Sequence, residues 1–244
     1  LAGFYLGLWW TLRPPAWWTW RRQWRTGLTW VNVGLAAGLL PTAPRGLVCD
    51  ILDVGHGLAI VLRGPDGRVL LYDCGSLSGG ELAAETMSLA LWQAGCSRID
   101  GLILSHADAD HCNGVALLTK RFRPGLLLKH GSFDDSPQPT VDIVRNAWRD
   151  AGGTETTIAA GDRIVWDAAV GTTVWLPALK TRYPRDNANS LVLAIEYAGR
   201  RIVLTGDLEQ GGLGDLLARP RDTIDLFLAP HHGSPRSNID LLGA

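Results

Sequence analysis

Within six residues, His106-Ala107-Asp108-Ala109-Asp110-His111, the chain places four side chains able to bind a metal ion. The residues before them, Gly101-Leu102-Ile103-Leu104, form an apolar run of the length and type expected of a short buried strand. A loop leaving the end of such a strand is where site residues tend to collect. The two alanines let the backbone fold back, so that imidazoles and carboxylates can face a common point. A polar surface loop has no need of His and Asp at this density. The stretch reads as a metal site, and the chain must fold so as to bring further ligands to it.

The rest of the pattern predicts such a fold. Leu47–Val54 reads as a strand ending in the loop Gly55-His56-Gly57, and Leu58–Arg63 and Arg68–Asp73 as a hairpin turned at Gly64-Pro65-Asp66-Gly67. Glu81–Ala94 has a helical spacing that Gly95 stops, Asn113–Arg121 a short helical pattern, and Thr140–Ala151 a helix ended by Gly152-Gly153. Leu126–His130, Ile164–Trp166, Thr172–Leu176, Ser190–Tyr197 and Arg201–Thr205 read as strands. A helix over Glu209–Ala218 and an apolar run at Ile224–Leu228 follow. Strands in runs with helices between them predict an α/β (α+β) domain of two sheets covered by helices, not one alternating parallel sheet.

Charge and tryptophan divide the chain. The first acid is Asp50, whereas Arg13, Arg21, Arg22, Arg25 and Arg45 precede it, so a basic start is joined to a net acidic remainder. Seven of the eleven Trp (Trp9, Trp10, Trp17, Trp18, Trp20, Trp24, Trp30) stand before residue 31. Leu1–Trp10 resembles the end of a membrane helix, Thr11–Arg25 suits a headgroup interface, and Thr26–Pro44 is uncharged and just long enough to span a bilayer. The alternative is an amphipathic segment packed on the globular part. These features predict a membrane-associated segment over 1–45 and a globular domain over 46–244. With the basic loop on the cytoplasmic side, that domain faces outward. No cleavable signal peptide is evident, and both ends read as cuts in a longer polypeptide. Cys49, Cys74, Cys96 and Cys112 form no CxxC pair, which argues against a zinc ribbon. Cys112, beside His111, reads as a buried thiol.

The predicted strands ending at Leu104, Thr205 and Leu228 are each followed closely by His or Asp. If those ends converge, His106, Asp108, Asp110, His111, Asp207 and His231 meet. That is more than one tetrahedral ion needs, so a pair of cations sharing a carboxylate is expected. Such a pair suits hydrolysis of a phosphate ester by a metal-bound hydroxide. With Asp108 in the set, Mn²⁺ rivals Zn²⁺.

The metal loop resembles the HxHxDH signature of the metallo-β-lactamase superfamily, with Asp108 where the second His usually stands. Leu52-Asp53-Val54-Gly55-His56-Gly57, Tyr72-Asp73-Cys74-Gly75, Gly161-Asp162, Asn187-Ala188-Asn189-Ser190-Leu191-Val192-Leu193, Leu204-Thr205-Gly206-Asp207 and His231-His232-Gly233-Ser234 extend the likeness. Together they resemble the carboxy-terminal domain of ComEC-type competence proteins, the DNA-uptake channels of bacterial membranes. The resemblance spans about Leu47 to Asn238. It implies a four-layer αββα sandwich and a di-metal site, with His106, Asp108, Asp110 and His111 as ligands, Asp207 as the bridge and His231 as the last ligand. It further implies an outward-facing nuclease domain in the cytoplasmic membrane, which degrades one DNA strand while the other enters, with the tryptophan-rich start belonging to the channel portion.

There are departures. The family usually has Gln at His56 and Asp at Leu58, and it continues past residue 244, so the domain reads as incomplete. The superfamily's third His has no counterpart. Asp186 and Asn187 lie nearest its place, as weak oxygen ligands or, the favoured reading, as turn formers. Asp110 and His232 are the candidate catalytic groups, His232 either as a proton donor to the leaving oxygen or in a supporting hydrogen bond. Asp73 is expected beneath the metal loop, and His56 and Ser234 are candidates for lining the site, Ser234 more readily as a turn. His130 reads as structural, and Lys120, Arg121 and Arg123 as a solvated face. The alternatives to a nuclease are a thioester or lactam hydrolase of the same fold, or a degenerate domain that only shapes a channel mouth.

Overall fold

The computed structural model describes Trp9, residues 20–39 and 43–234, and Ser237. The chain divides into two compact units, Leu1–Thr42 and Ala43–Ala244. The first contains helix α1 (Trp20–Leu39), which leaves Trp24, Leu28, Val31, Val33 and Leu35 exposed. The bilayer span expected over Thr26–Pro44 is not supported. The helix starts at Trp20 and so takes in Arg21, Arg22 and Arg25, and no helix among the described residues is long and apolar enough to cross a membrane. The membrane-helix end expected over Leu1–Trp10 and the residues expected to be followed by a missing carboxy terminus lie, but for Trp9 and Ser237, outside the described residues.

In the second unit, β1 (Val48–Ile51), β2 (Ala59–Arg63), β3 (Val69–Cys74), β4 (Arg98–Leu104), β5 (Arg123–Lys129) and β6 (Thr154–Thr157) form a six-stranded sheet in that order. The first three pair antiparallel and the rest parallel. A four-stranded sheet has the order β10 (Leu226–Phe227), β9 (Arg200–Leu204), β8 (Val192–Tyr197), β7 (Gly171–Leu176).

The two-residue period of a strand explains why both sheets are covered on both faces. In β4, Leu102 and Leu104 join a cluster with Met87 and Leu91 of α2 (Gly80–Gln93), while Ile103 between them joins Tyr72, Leu193 and Leu204 between the sheets. Val61 of β2 faces the helices, and Ile60 and Leu62 face the other sheet. Val115 and Leu118 of the short helix α4 (Val115–Leu118) complete the outer layer with Val141, Val144 and Trp148 of α6 (Thr140–Asp150). Two short helices, α3 (Ala109–Cys112) and α5 (Gly131–Asp135), precede α4 and α6 respectively. On the far side, Leu213 and Leu216 of α7 (Gln210–Leu217) cover Val192, Ala194 and Val203. Four layers result: helices, sheet, sheet, helix. Runs such as Val69–Tyr72 and Leu102–Leu104 are continuously apolar because neither face of their strands meets water.

Two local expectations change. Ile164–Trp166 is not a strand; only an isolated bridge, Arg163 to Thr173, forms there. The side chains do alternate, with Ile164 and Trp166 buried and Val165 exposed. However, the Trp166 indole donates to Thr172 Oγ1 and the backbone makes no continuing ladder. Conversely, Thr154–Thr157 is a strand without an apolar face. It closes the sheet edge against β5, and Glu155 is held by Arg145 and Arg149.

Candidate metal centre

The loop after β4 turns directly into α3, so His106, Asp108, Asp110 and His111 leave the sheet within one tight bend. Its shape depends on close backbone packing. A Cβ on Gly75 would lie 2.3 Å from the Asp110 carbonyl carbon and 2.4 Å from the His111 nitrogen, so only glycine admits the loop there. The Leu58 amide donates to the Asp110 carbonyl, and Gly75 donates to that of Leu58. The Gly-His-Gly and Asp-Cys-Gly segments thereby act as a floor for the metal loop.

Asp73, fully buried at the end of β3, anchors that floor. Its carboxylate accepts from the Ser105 amide at 2.7 Å, the Ser105 hydroxyl at 2.6 Å and His111 Nδ1 at 2.8 Å. The bond at Nδ1 leaves His111 Nε2 to face the site, where it stands 3.1 Å from Asp207 Oδ1. His106 is similarly held, with Nδ1 beside Ser105 Oγ at 2.9 Å and Ser190 Oγ at 3.4 Å. The Nε2 atoms of both rings are buried and make no hydrogen bond. Two imidazole nitrogens left in this way mark where another partner belongs.

Asp207, which follows β9, joins the groups. Gly206 before it has a φ of 53° and packs so that a Cβ would come 2.7 Å from the Ser105 Cβ. His232 Nε2 lies 3.2 Å from Asp207 Oδ2 and 3.5 Å from Asp110 Oδ2. Asp110, His111, Asp207 and His232 each offer a ligand atom, all within 4.8 Å of one another. Two ligands bound tetrahedrally at ordinary zinc distances stand roughly 3.3 Å apart, so the donor set fits a divalent cation. Beside it, His106 Nε2 and Asp108 Oδ2 are 3.6 Å apart, and the His106 and His111 rings are 4.2 Å apart.

Of the two adjacent histidines, the sequence reading makes His231 a ligand and His232 either a proton donor or a supporting hydrogen-bond partner. The geometry places His232 in the compact group with Asp110, His111 and Asp207. His231 lies 3.9 Å from Asp207 Oδ2 through Nε2, while its Nδ1 faces Glu209 Oε2 at 3.2 Å. Both residues have left-handed backbones, with φ of 51° and 52°. For side chains with a Cβ this costs on the order of 1–2 kcal/mol each, a strain typical of functional loops. It lets neighbouring rings serve different partners.

Electrostatics agree with a cation between these groups. Burial opposes a proton on His111, but Asp73 and Asp207 outweigh it and push the imidazole up to about 10. Hydrogen bonds to Asp110 and Asp207 push His232 up to about 9. Despite burial, Asp207 is held well below the usual carboxylate range by His111 and His232, and Asp110 is lowered by His232. The pocket holds negative charge that calls for positive charge, supplied by protons or by metal.

The other expected residues are distributed around this centre. His56 is at its open edge, 3.8 Å from Asp110 Oδ2, with its ring 4.5 Å from that of His232. Asp186, Asn187 and Ser234 line an adjoining cavity with Asp108 and His231. Asp186 caps a turn and accepts a hydrogen bond from the Ser136 hydroxyl at 2.7 Å. His130 caps α5, accepting from the Ser132 amide, and Arg121 bonds to Ala84 and Ser88 of α2. Cys112 is buried among apolar side chains, its thiol pushed up to about 12 by burial, and it contacts the Asp108 carbonyl rather than the site. Sequence reasoning missed Glu209. Its signal was a second acid two residues after Asp207 in Gly206-Asp207-Leu208-Glu209.

Comparison with known proteins gives a consistent picture. The family described as "Metallo-beta-lactamase superfamily" matches residues 52–244. Curated relatives include "Recombination protein 2" of Haemophilus influenzae, 29% identical over 79% of this chain and 22% of its own length. "ComE operon protein 3" of Bacillus subtilis is 29% identical over 77% of this chain and 26% of its own. "Competence protein ComA" of Neisseria gonorrhoeae is 27% identical over 84% and 27% respectively. The chain thus matches about a quarter of the length of each. Among solved structures, a metallo-β-lactamase of Cronobacter sakazakii with an HARLDQ motif superposes with a TM-score of 0.50 at 14% identity, over 81% of this chain and 76% of that one, a likeness of fold alone.

Proposed function

The chain belongs to the metallo-beta-lactamase superfamily, and on that premise we propose that it is a metal-dependent phosphodiesterase acting on DNA. The observation that carries this reading is Asp207, which stands between the two groups of donors: Oδ1 lies 3.1 Å from His111, and Oδ2 faces His232 of the same group at 3.2 Å and His231 of the other at 3.9 Å. Asp110, His111 and His232 would hold one divalent ion, and His106, Asp108 and His231 a second, with Asp207 shared. Two such ions, Zn²⁺ or Mn²⁺, supply Lewis acidity and an activated water for in-line displacement at phosphorus. A carboxylate at Asp108 in place of an imidazole makes the set harder and favours oxygen-rich substrates and ions such as Mn²⁺.

The residues of the chain do the positioning. Asp73 holds the tautomer and direction of His111 through Nδ1. His56, exposed beside Asp110 and His232, stands where it can donate to an oxygen of the entering phosphate or of the departing sugar. The names of the relatives support a place in DNA uptake. The small share of their length that this chain spans supports a domain within a longer channel polypeptide, and we assign it the outward side of the bacterial cytoplasmic membrane. α1, with Trp24 exposed beside Arg25, suits the membrane interface.

The test uses the chain stripped with a chelator, then reloaded with Zn²⁺ or Mn²⁺ alone, on single-stranded DNA, bis(p-nitrophenyl) phosphate and a cephalosporin. DNA cleavage that Asp207→Asn abolishes is the expected result. Turnover of the cephalosporin alone, or no phosphodiester cleavage with either ion, overturns the proposal.

A further inference from the structure

A cavity of about 940 Å³ opens beside the metal centre, and Asp108 and His231 form part of its wall. That volume lies within the roughly 300–1,000 Å³ of small-ligand sites. Besides the acids Asp108, Asp186 and Glu209, its lining has three kinds of group. Leu213 and Leu217, on one side of α7, give it an apolar surface. The side-chain amides of Asn187, Gln138 and Gln210 offer both donors and acceptors. Arg185 is the one Arg or Lys among the described lining residues.

Arg185 is presented by a fixed backbone and a largely exposed side chain. Asn189 is buried, and its amide spans the loop. Oδ1 accepts from the Tyr183 amide at 2.8 Å, and Nδ2 donates to the carbonyls of Tyr183 at 2.8 Å and Arg185 at 2.9 Å. The side chain is 67% exposed, and Glu209 Oε1 is 3.7 Å from its Nη1, beyond a good hydrogen bond. Glu209 is shared with His231, and the Asp186 carboxylate accepts from Ser136. Asp108 faces His106 Nε2 at 3.6 Å, so each acid of this wall has a partner, and Arg185, with its long 3.7 Å contact to Glu209, is the lining cation able to turn to an anion.

We propose that this cavity is the subsite for the deoxynucleotide flanking the scissile linkage. The phosphate of that nucleotide pairs with Arg185, in the planar two-point geometry that guanidinium offers to phosphate. Its base lies on Leu213 and Leu217 and exchanges hydrogen bonds with the amides of Asn187, Gln138 and Gln210. Neutral amides accept more than one base, so the subsite holds DNA without reading a particular sequence. This inference rests on the phosphodiesterase reading for the meaning of the ligand, though not for the existence of the pocket.

The test is calorimetric titration of the metal-loaded chain with thymidine 5′-monophosphate, thymidine and inorganic phosphate, in the unaltered protein and in Arg185→Gln, Arg185→Lys and Leu217→Ser, each checked for an unchanged melting transition. The monophosphate should bind the unaltered chain more tightly than phosphate or thymidine. Arg185→Gln should weaken it roughly tenfold to a hundredfold, the loss expected of a bond to an ionised group, and Arg185→Lys by less. Leu217→Ser should weaken the monophosphate but not phosphate. Equal affinity of Arg185→Gln and the unaltered chain, or phosphate binding as tightly as the monophosphate, overturns the subsite. Bis(p-nitrophenyl) phosphate hydrolysis by the unaltered chain separates the two readings: cleavage without Arg185-dependent nucleotide binding sinks the subsite alone, and Arg185-dependent binding without cleavage sinks the phosphodiesterase alone.

Discussion

Asp73→Asn isolates the support beneath the metal loop from the ligands themselves. Asp73 has a φ of 58°, which Asn tolerates nearly as well, and the two side chains have the same shape, so the backbone is not at issue. What changes is a fully buried carboxylate that accepts three hydrogen bonds of 2.6–2.8 Å. The amide oxygen retains the bond from the Ser105 backbone, and the Ser105 hydroxyl reverses to accept. The His111 Nδ1 proton then faces an amide NH₂ group. One bond to a charged group is lost and a buried donor is left without a partner, about 2–3 kcal/mol together. In a domain of this size that lowers the melting temperature by about 5–10 °C. Because His111 also loses its orientation, affinity for Zn²⁺ should fall about 10- to 100-fold. Thermal melting by circular dichroism and competition against a chromophoric chelator read the two effects separately. A variant that melts within a degree of the unaltered protein and binds Zn²⁺ equally well would refute the role given to Asp73.

Two further outcomes follow from the same geometry. Gly75→Ala drives a Cβ into the Asp110–His111 peptide, so it should cost about 1–3 kcal/mol of stability and about tenfold in Zn²⁺ affinity; chelator competition giving normal affinity would show that the loop yields freely. Glu155 is held at about 2, against the ordinary 4.5, by its bond with Arg145 in spite of burial, with help from Arg149 and Lys129. A carboxyl held low contributes stability that is full above about 4.5 and is lost as pH falls towards 2. Glu155→Gln should therefore lower urea stability by about 1 kcal/mol at pH 7, with the difference shrinking as the pH drops below 4.5, and a difference that grows on acidification would contradict the ion pair.

The layers were legible because their causes are local. Leu102–Leu104 and Val69–Tyr72 are apolar without interruption, as strands covered on both faces must be, and the helix over Thr140–Asp150 has its buried Val141, Val144 and Trp148 at three- and four-residue steps. The metal loop was legible for the same reason: four donors in six residues declare themselves without neighbours. β6 was not, because Thr154–Thr157 earns its place by closing an edge and by ion pairs, neither of which leaves an apolar pattern. The different surroundings of His231 and His232 were also hidden. Adjacent identical residues carry no local mark of direction, and it took two left-handed backbone angles and the approach of Asp207, Asp110 and Glu209 to separate them. Sequence determined which donor side chains are present and at which strand ends. Tertiary structure alone decided which oxygen faces which nitrogen, because a ligand set is a matter of distances between residues up to 126 positions apart, as His106 and His232 are, and those distances are set by the packing of two sheets.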